Sequence, residues 1–222
     1  MTGQWPLIDI QHLKVKNERG DFIFTDLCLN LQPGQSVIIT GPAGSGKTTI
    51  AELLVGLRYP MEGTMELFGE SIKLGRRRQM RKFRRKIGGV GGPWGLIPSM
   101  TVTENILLPL VIAGERPKTQ RDRLRRMLNE FGLSKVSNQR PANLTRVENT
   151  LCQIARASIA NQPLVVLDEP SAGLDTPTYQ HVCEFMVKAS VSGRSMLVLS
   201  SELPPQEIPG SVHHRIVNGR LE

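Results

Sequence analysis

Gly41-Pro-Ala-Gly-Ser-Gly46-Lys47-Thr48, followed by a second threonine at Thr49, is the stretch that decides the fold. It fits G-x-x-x-x-G-K-[ST], the P-loop pattern for nucleotide phosphates. With Gly at about 7 % of residues, and Lys and Ser+Thr at roughly 6 and 12 %, chance produces such a match in about 1 in 100 chains of this length. The flanks agree with the motif. Val37-Ile-Ile-Thr40 is a β-branched run before it, and Thr49-Ile-Ala-Glu-Leu-Leu-Val55 reads as helix after it. The candidate phosphate-binding residues are therefore Gly41, Pro42, Ala43, Gly44, Ser45, Gly46, Lys47, Thr48 and Thr49. Glycines bring backbone N–H groups close to the phosphates, and the helix N-terminus adds partial positive charge. Lys47 is placed to reach the β/γ-phosphates, and Thr48 to offer its hydroxyl to Mg²⁺.

Working outward, Leu7–Leu13 and Phe22–Leu31 read as strands, and Gln32-Pro-Gly34 breaks the chain before the P-loop strand. Gly56 is placed to cap the P-loop helix. Thr64–Phe68 is a further short strand, followed by the basic run Arg76–Lys86, which reads as helix. Gly88-Gly89-Val-Gly91-Gly92-Pro-Trp-Gly95 is glycine-rich enough to read as a flexible joint rather than a packed strand. Val102–Ile112, Thr119–Phe131 and Val147–Ala160 carry helical periodicity. They suggest an inserted helical subdomain over 93–160, with 1–92 and 161–222 forming the remainder of one domain. Leu164-Val-Val-Leu167 is a continuous apolar run, as in a parallel strand buried on both faces. Thr178–Ala189 reads as helix and Ser195–Ser200 as strand. Val212–Val217, Asn218-Gly219 and Arg220-Leu221 predict a closing hairpin. The class is α/β.

Composition narrows the function. A chain of 222 residues can bury one substantial core. No apolar run of about 18 residues is present to span a bilayer. The first residues lack the charged and apolar segments of a signal peptide. Cys28, Cys152 and Cys183 are an odd, scattered set, expected to be reduced thiols. Neither they nor His12, His181, His213 and His214 show metal-ligand spacing. The excess of 28 Lys+Arg over 20 Asp+Glu gives a net charge of +8. Its cluster at 76–86 suits either an anionic partner or a solvated helix face. Trp94 suits packing against a core or a partner helix.

Asp168-Glu169, at the end of the apolar run, supplies a second chemical site. An aspartate there can hold Mg²⁺, and the adjacent glutamate can polarise an attacking water, work worth about 10²–10⁴-fold. With these residues in hand, Gly41–Thr49, Leu164–Pro170 and Ser171-Ala-Gly-Leu-Asp175 resemble the Walker A, Walker B and D-loop of ABC-type ATPase cassettes. The resemblance extends through Thr101–Leu110 and Ile154–Ala157, and is strongest to lipoprotein-release, macrolide-export and cell-division cassettes. It implies a P-loop NTPase core with a mostly parallel sheet, a small antiparallel β-subdomain and an inserted α-helical subdomain. It also implies Asp168 as the Walker B aspartate with Thr48 on Mg²⁺, Glu169 as the catalytic glutamate, and Asp175 at a dimer seam. The implied partners are an integral membrane permease subunit and a second ABC cassette, as homodimer or heterodimer, at the cytoplasmic face of the inner or plasma membrane.

Four positions depart from the family pattern. The adenine-stacking aromatic aligns with Asn17, with Phe22 as the candidate substitute. The Q-loop glutamine aligns with Gly92, and the switch histidine with Ser201. The signature Leu-Ser-Gly-Gly-Gln aligns with Leu144-Thr145-Arg146-Val147-Glu148, where Arg146 could offer charge to a phosphate as an arginine finger does. The combination implies ATP binding with slow hydrolysis, against a fully active transporter ATPase. The alternative is a soluble nucleic-acid-associated ABC ATPase. Such proteins usually carry two cassettes or long coiled-coil insertions, and neither is present.

Overall fold

The computed structural model describes residues 5–73 and 77–222, with only the backbone of Arg77. Arg76, at the head of the basic run, lies outside the described residues.

The first two strands form because apolar side chains return every second residue. β1 (Ile8–Lys16) and β2 (Phe22–Leu31) pair antiparallel. From Leu27 onward β2 buries Leu27, Leu29 and Leu31 and exposes Cys28 and Asn30. β3 (Ser36–Thr40) leads into α1 (Lys47–Leu54), which ends at Gly56 in the left-handed region, as expected for a cap. β4 (Glu62–Leu67) and β5 (Glu70–Ser71) extend the antiparallel sheet beyond β1. α2 (Arg77–Arg84) buries Met80 and Phe83 and turns Arg81 and Lys82 to solvent, so part of the basic run is a solvated helix face.

β6 (Ile87–Val90) corrects the expectation of a flexible joint. Gly88 and Gly89 lie inside a fully buried strand. The reason is what the missing Cβ atoms admit. A Cβ on Gly88 would lie 2.5 Å from the Ala157 carbonyl oxygen, and one on Gly89 would lie 1.9 Å from the Trp94 ring. The chain thus spends two glycines on letting a helix backbone and an indole press flat against a strand. Trp94 packs on this core and stays half-buried, and Arg156 donates to the carbonyls of Trp94 and Gly95. Gly88→Ala forces Ala157 backbone to move, which costs about 1–3 kcal/mol. The expected result is a lower denaturant midpoint with an unchanged slope.

The helices α3 (Val102–Ile112), α4 (Pro117–Glu130) and α5 (Arg146–Ile159) follow, then β7 (Leu164–Asp168), α6 (Thr176–Val191), β8 (Ser195–Ser200), β9 (Ser211–Val217) and β10 (Arg220–Leu221). Among the described residues the strands make one ten-stranded sheet in the order β5-β4-β1-β2-β10-β9-β3-β8-β7-β6. The half from β9 to β6 is parallel throughout. Its central strands are buried on both faces. Val37, Ile39, Leu164, Val166, Leu197 and Leu199 point to the α1 side, while Ile38, Val165, Leu167, Met196 and Val198 point to the side of α5 and α6. The closing hairpin forms as the Asn-Gly pair predicts, with Asn218 and Gly219 both left-handed. This is the mixed α/β P-loop architecture expected from the sequence.

Candidate functional site

Strand ends converge on the P-loop because β3, β7 and β8 are parallel neighbours, so their C-terminal ends meet at one edge. Gly41 N donates to Ser200 O at 3.3 Å, tying the loop to β8. Gly44 and Gly46 adopt φ of +79° and +105°, and Gly46 also has Ile23 within 2.6 Å of where a Cβ would stand. Both positions require glycine. Lys47 is 5 % exposed, and its Nζ donates to Gly41 O at 2.5 Å and Pro42 O at 2.8 Å. It also lies 3.2 Å from Glu169 Oε1. Ser45 Oγ is buried without a hydrogen-bond partner among the described residues, an acceptor and donor turned into the loop. Such an orphan fits a phosphate oxygen.

Asp168 ends the buried strand β7 and is 4 % exposed. Burial pushes its carboxyl above the usual carboxylate range, opposed by the Thr48 side chain beside it, and the Glu169 charge pushes it further. Its Oδ1 has no hydrogen-bond partner among the described residues. A desolvated carboxylate oxygen beside a threonine hydroxyl is the oxygen donor set that a hard divalent cation takes, so these residues fit Mg²⁺.

Glu169 follows at φ +51°, rare for a non-glycine residue. The turn aims its carboxylate back at the loop. Ser201 donates to it twice, from its backbone N at 3.1 Å and from Oγ at 2.6 Å. The serine at the switch position therefore fastens the glutamate.

At the Q-loop position, Gly92 has no room for a side chain, since a Cβ would stand 2.3 Å from Asp168 Oδ2. Gly91 is equally close to the Asp168 backbone. A glutamine arrives instead from α5. Gln153 Oε1 accepts from Gly91 N at 2.7 Å, and its Nε2 donates to Asn149 Oδ1 at 2.7 Å. Sequence reasoning missed Gln153. Its only signal is one amide among the apolar residues Cys152, Ile154 and Ala155 on a buried helix face.

The signature region is folded onto itself. Thr145 caps α5 by accepting from Glu148 N at 3.2 Å, and Glu148 Oε2 accepts from Thr145 N at 2.8 Å. This capping box satisfies the helix end, and it also places a carboxylate over the positive pole. Arg146 lies across Gly173 of its own chain, where a Cβ would come within 2.2 Å of its Nε. Together with Thr48, Gly92, Gln153, Asp168 and Glu169 it lines an open cavity of about 540 Å³. Asp175 caps α6 through Thr178 N at 3.0 Å.

The two adenine candidates fare differently. Asn17 Oδ1 accepts from Arg19 N and Asp21 N, both at 2.9 Å, so its side chain is consumed by the β1–β2 turn. Phe22 is 51 % exposed, with Lys16 Nζ 4.5 Å from its ring centroid.

Comparison with known proteins gives this geometry its place. A family model described as ABC transporter matches residues 24–172. An uncharacterized ABC transporter ATP-binding protein of Thermotoga maritima is 34 % identical, covering 100 % of this chain and 92 % of its own length. The lipoprotein-releasing system ATP-binding protein LolD of Pseudomonas fluorescens is 35 % identical over 80 % of this chain and 78 % of its own. The solved structure of the dimeric bacterial ABC transporter cassette MJ0796 superposes with a TM-score of 0.84 at 25 % identity, covering 97 % of this chain and 96 % of that one. A loop of the P-loop pattern, an acidic strand end beside it and this kinship agree. The chain belongs to the ABC transporter family and is one of its ATPase cassettes.

Proposed function

We propose that this chain is the nucleotide-binding subunit of a membrane ABC system, one that grips Mg·ATP firmly and hydrolyses it slowly. Gly41–Thr49 hold the phosphates, with Lys47 on the β/γ oxygens. Thr48 and Asp168 hold Mg²⁺, which when bound neutralises charge on the transferring phosphoryl group. Glu169 orients and deprotonates the attacking water. An integral membrane permease subunit and a second cassette, either another copy or a different chain, complete the complex at the cytoplasmic face. Residues 93–160 form the helical subdomain that meets the permease, and Val111 and Ile112 expose apolar surface at the end of α3 there.

The observation that carries the slow-hydrolysis reading is the state of Glu169 and Glu148. Ser201 holds the first by two hydrogen bonds, and the second covers the α5 N-terminus with negative charge. A helix pole that would favour a phosphate is thereby partly neutralised. The relatives named LolD belong to lipoprotein-releasing systems, which supports an envelope-linked membrane partner for this chain.

Phosphate release from the purified chain tests the reading. The expected turnover lies below about 1 s⁻¹, under the ordinary enzyme range. Restoring the signature by Arg146→Gly, Val147→Gly and Glu148→Gln together raises it. A parent turnover of several per second overturns the slow-hydrolysis assignment.

A further inference from the structure

Far along the sheet from the P-loop, the antiparallel pairing gathers three side chains of a different chemistry. Asp26 and Cys28 stand two residues apart on β2 and so share a face, the one opposite the buried Leu27 and Leu29. His12 joins them through a break in the β1 ladder. The register runs Ile8↔Leu31, Asp9↔Asn30 and Ile10↔Leu29, then jumps to Leu13↔Leu27. The one extra residue on β1 forms a bulge, and His12 takes a left-handed φ of 53° within it. Gly63 of β4 lets this bulge sit close, since a Cβ there would lie 2.5 Å from His12 O. Three strands thus cooperate to aim one imidazole.

The ligand atoms are already near coordination spacing. His12 Nδ1 is 2.8 Å from Asp26 Oδ1 and 3.7 Å from Cys28 Sγ, and Sγ is 3.8 Å from Asp26 Oδ1. Around tetrahedral zinc, bond lengths of about 2.0–2.1 Å to N and O and about 2.3 Å to S put such atoms about 3.3–3.6 Å apart. The three atoms therefore outline one face of the tetrahedron with shifts of about half an ångström. The His12 backbone N donates to Sγ at 3.3 Å, an outer contact of the kind that steadies a thiolate. The hydrogen bond from His12, helped by the charges of His12 and Arg220, holds Asp26 below the usual carboxylate range.

We propose that His12, Asp26 and Cys28 bind a borderline-soft divalent cation of the Zn²⁺ class, which clips β1 to β2 on the exposed face of the antiparallel sheet. A nitrogen, a thiolate and one carboxylate suit zinc, whereas magnesium takes oxygen donors. Binding displaces the Cys28 thiol proton to solvent, His12 gives up the Nδ1 proton it directs at Asp26 and keeps its ring proton on Nε2, and water fills the fourth position. Among the described residues no other group of three His, Cys, Asp or Glu side chains comes as close together. Cys152 and Cys183 are buried and do not compete, and burial pushes the Cys152 thiol up to about 12.

The test uses the full, nucleotide-free chain with its thiols kept reduced by a phosphine. Zn²⁺ is titrated against a chromophoric chelator, and Co²⁺ serves as a spectroscopic stand-in. One ion per chain is expected, with a thiolate-to-cobalt charge-transfer band in the near ultraviolet. Cys28→Ser abolishes the band and weakens zinc binding by about 100-fold or more, since even an outer-shell partner is worth about 10–100-fold. His12→Asn, which tolerates the left-handed backbone, weakens it comparably. A parent chain without the charge-transfer band, or equal zinc uptake by the parent and both variants, overturns the site. The trio is then a hydrogen-bonded surface cluster. The band is read on the parent alone, so failure of a variant to fold leaves the test intact. The acidic P-loop site contributes no thiol, which keeps the two sites distinguishable.

Discussion

Lys47→Ala weakens Mg·ATP binding by about 10–150-fold, the equivalent of about 1.5–3 kcal/mol for a charge-assisted hydrogen bond. The size follows from where the ammonium sits. It is almost fully buried in the loop, touches two loop carbonyls and lies 3.2 Å from Glu169. Alanine removes the one cation at that position and leaves a carboxylate facing the incoming phosphates. Isothermal calorimetry with Mg·ATP measures the effect, and far-ultraviolet circular dichroism checks that the variant folds. A dissociation constant within about twofold of the parent contradicts the assignment of Gly41–Thr49 as the phosphate site.

Glu169→Gln lowers single-turnover phosphate release by about 10²–10⁴-fold while ATP affinity stays near that of the parent. An amide keeps the shape and still accepts the Ser201 hydrogen bond through its oxygen, but it cannot take a proton. The separation of rate from affinity matters. A fall in both together points to a positioning role for the loop, and an unchanged rate removes Glu169 from the chemistry. Single-turnover quench-flow with excess protein resolves the two quantities.

The fold and half of the candidate site were legible for one physical reason. Phosphate loops and strand-end carboxylates need particular residues at short, fixed spacing, so Gly41–Thr49 and Asp168-Glu169 identify themselves locally. The parallel strands announced themselves likewise, since burial on both faces demands unbroken apolar runs such as Leu164–Leu167. Long-range packing left fainter traces. Gly88 and Gly89 read as a joint because glycine tolerates any backbone, and only the proximity of Ala157 and Trp94 reveals that their value is the absent Cβ. Gln153 is one amide in a helix, and its purpose depends on Gly91 lying against it. His12, Asp26 and Cys28 meet only through a bulge, which no spacing rule encodes. The Thr145–Glu148 pattern, by contrast, carries a capping-box signature in its own residues. What it withheld was that the same carboxylate changes the polarity of the helix end.

The position of the Lys47 ammonium bears on which nucleotides the cassette accepts. Its hydrogen bonds run to the carbonyls of Gly41 and Pro42, within the same loop proposed to receive phosphate. Entry of a ligand is therefore an exchange of partners, in which neutral oxygens yield to charged ones. A short phosphate tail that stops before the lysine offers no replacement and leaves those internal bonds in command. If Gly41–Thr49 is the phosphate site proposed above, a phosphate tail long enough to outcompete the loop's own backbone would turn the lysine outward, and the resting contacts of a single side chain would then favour the longer tail.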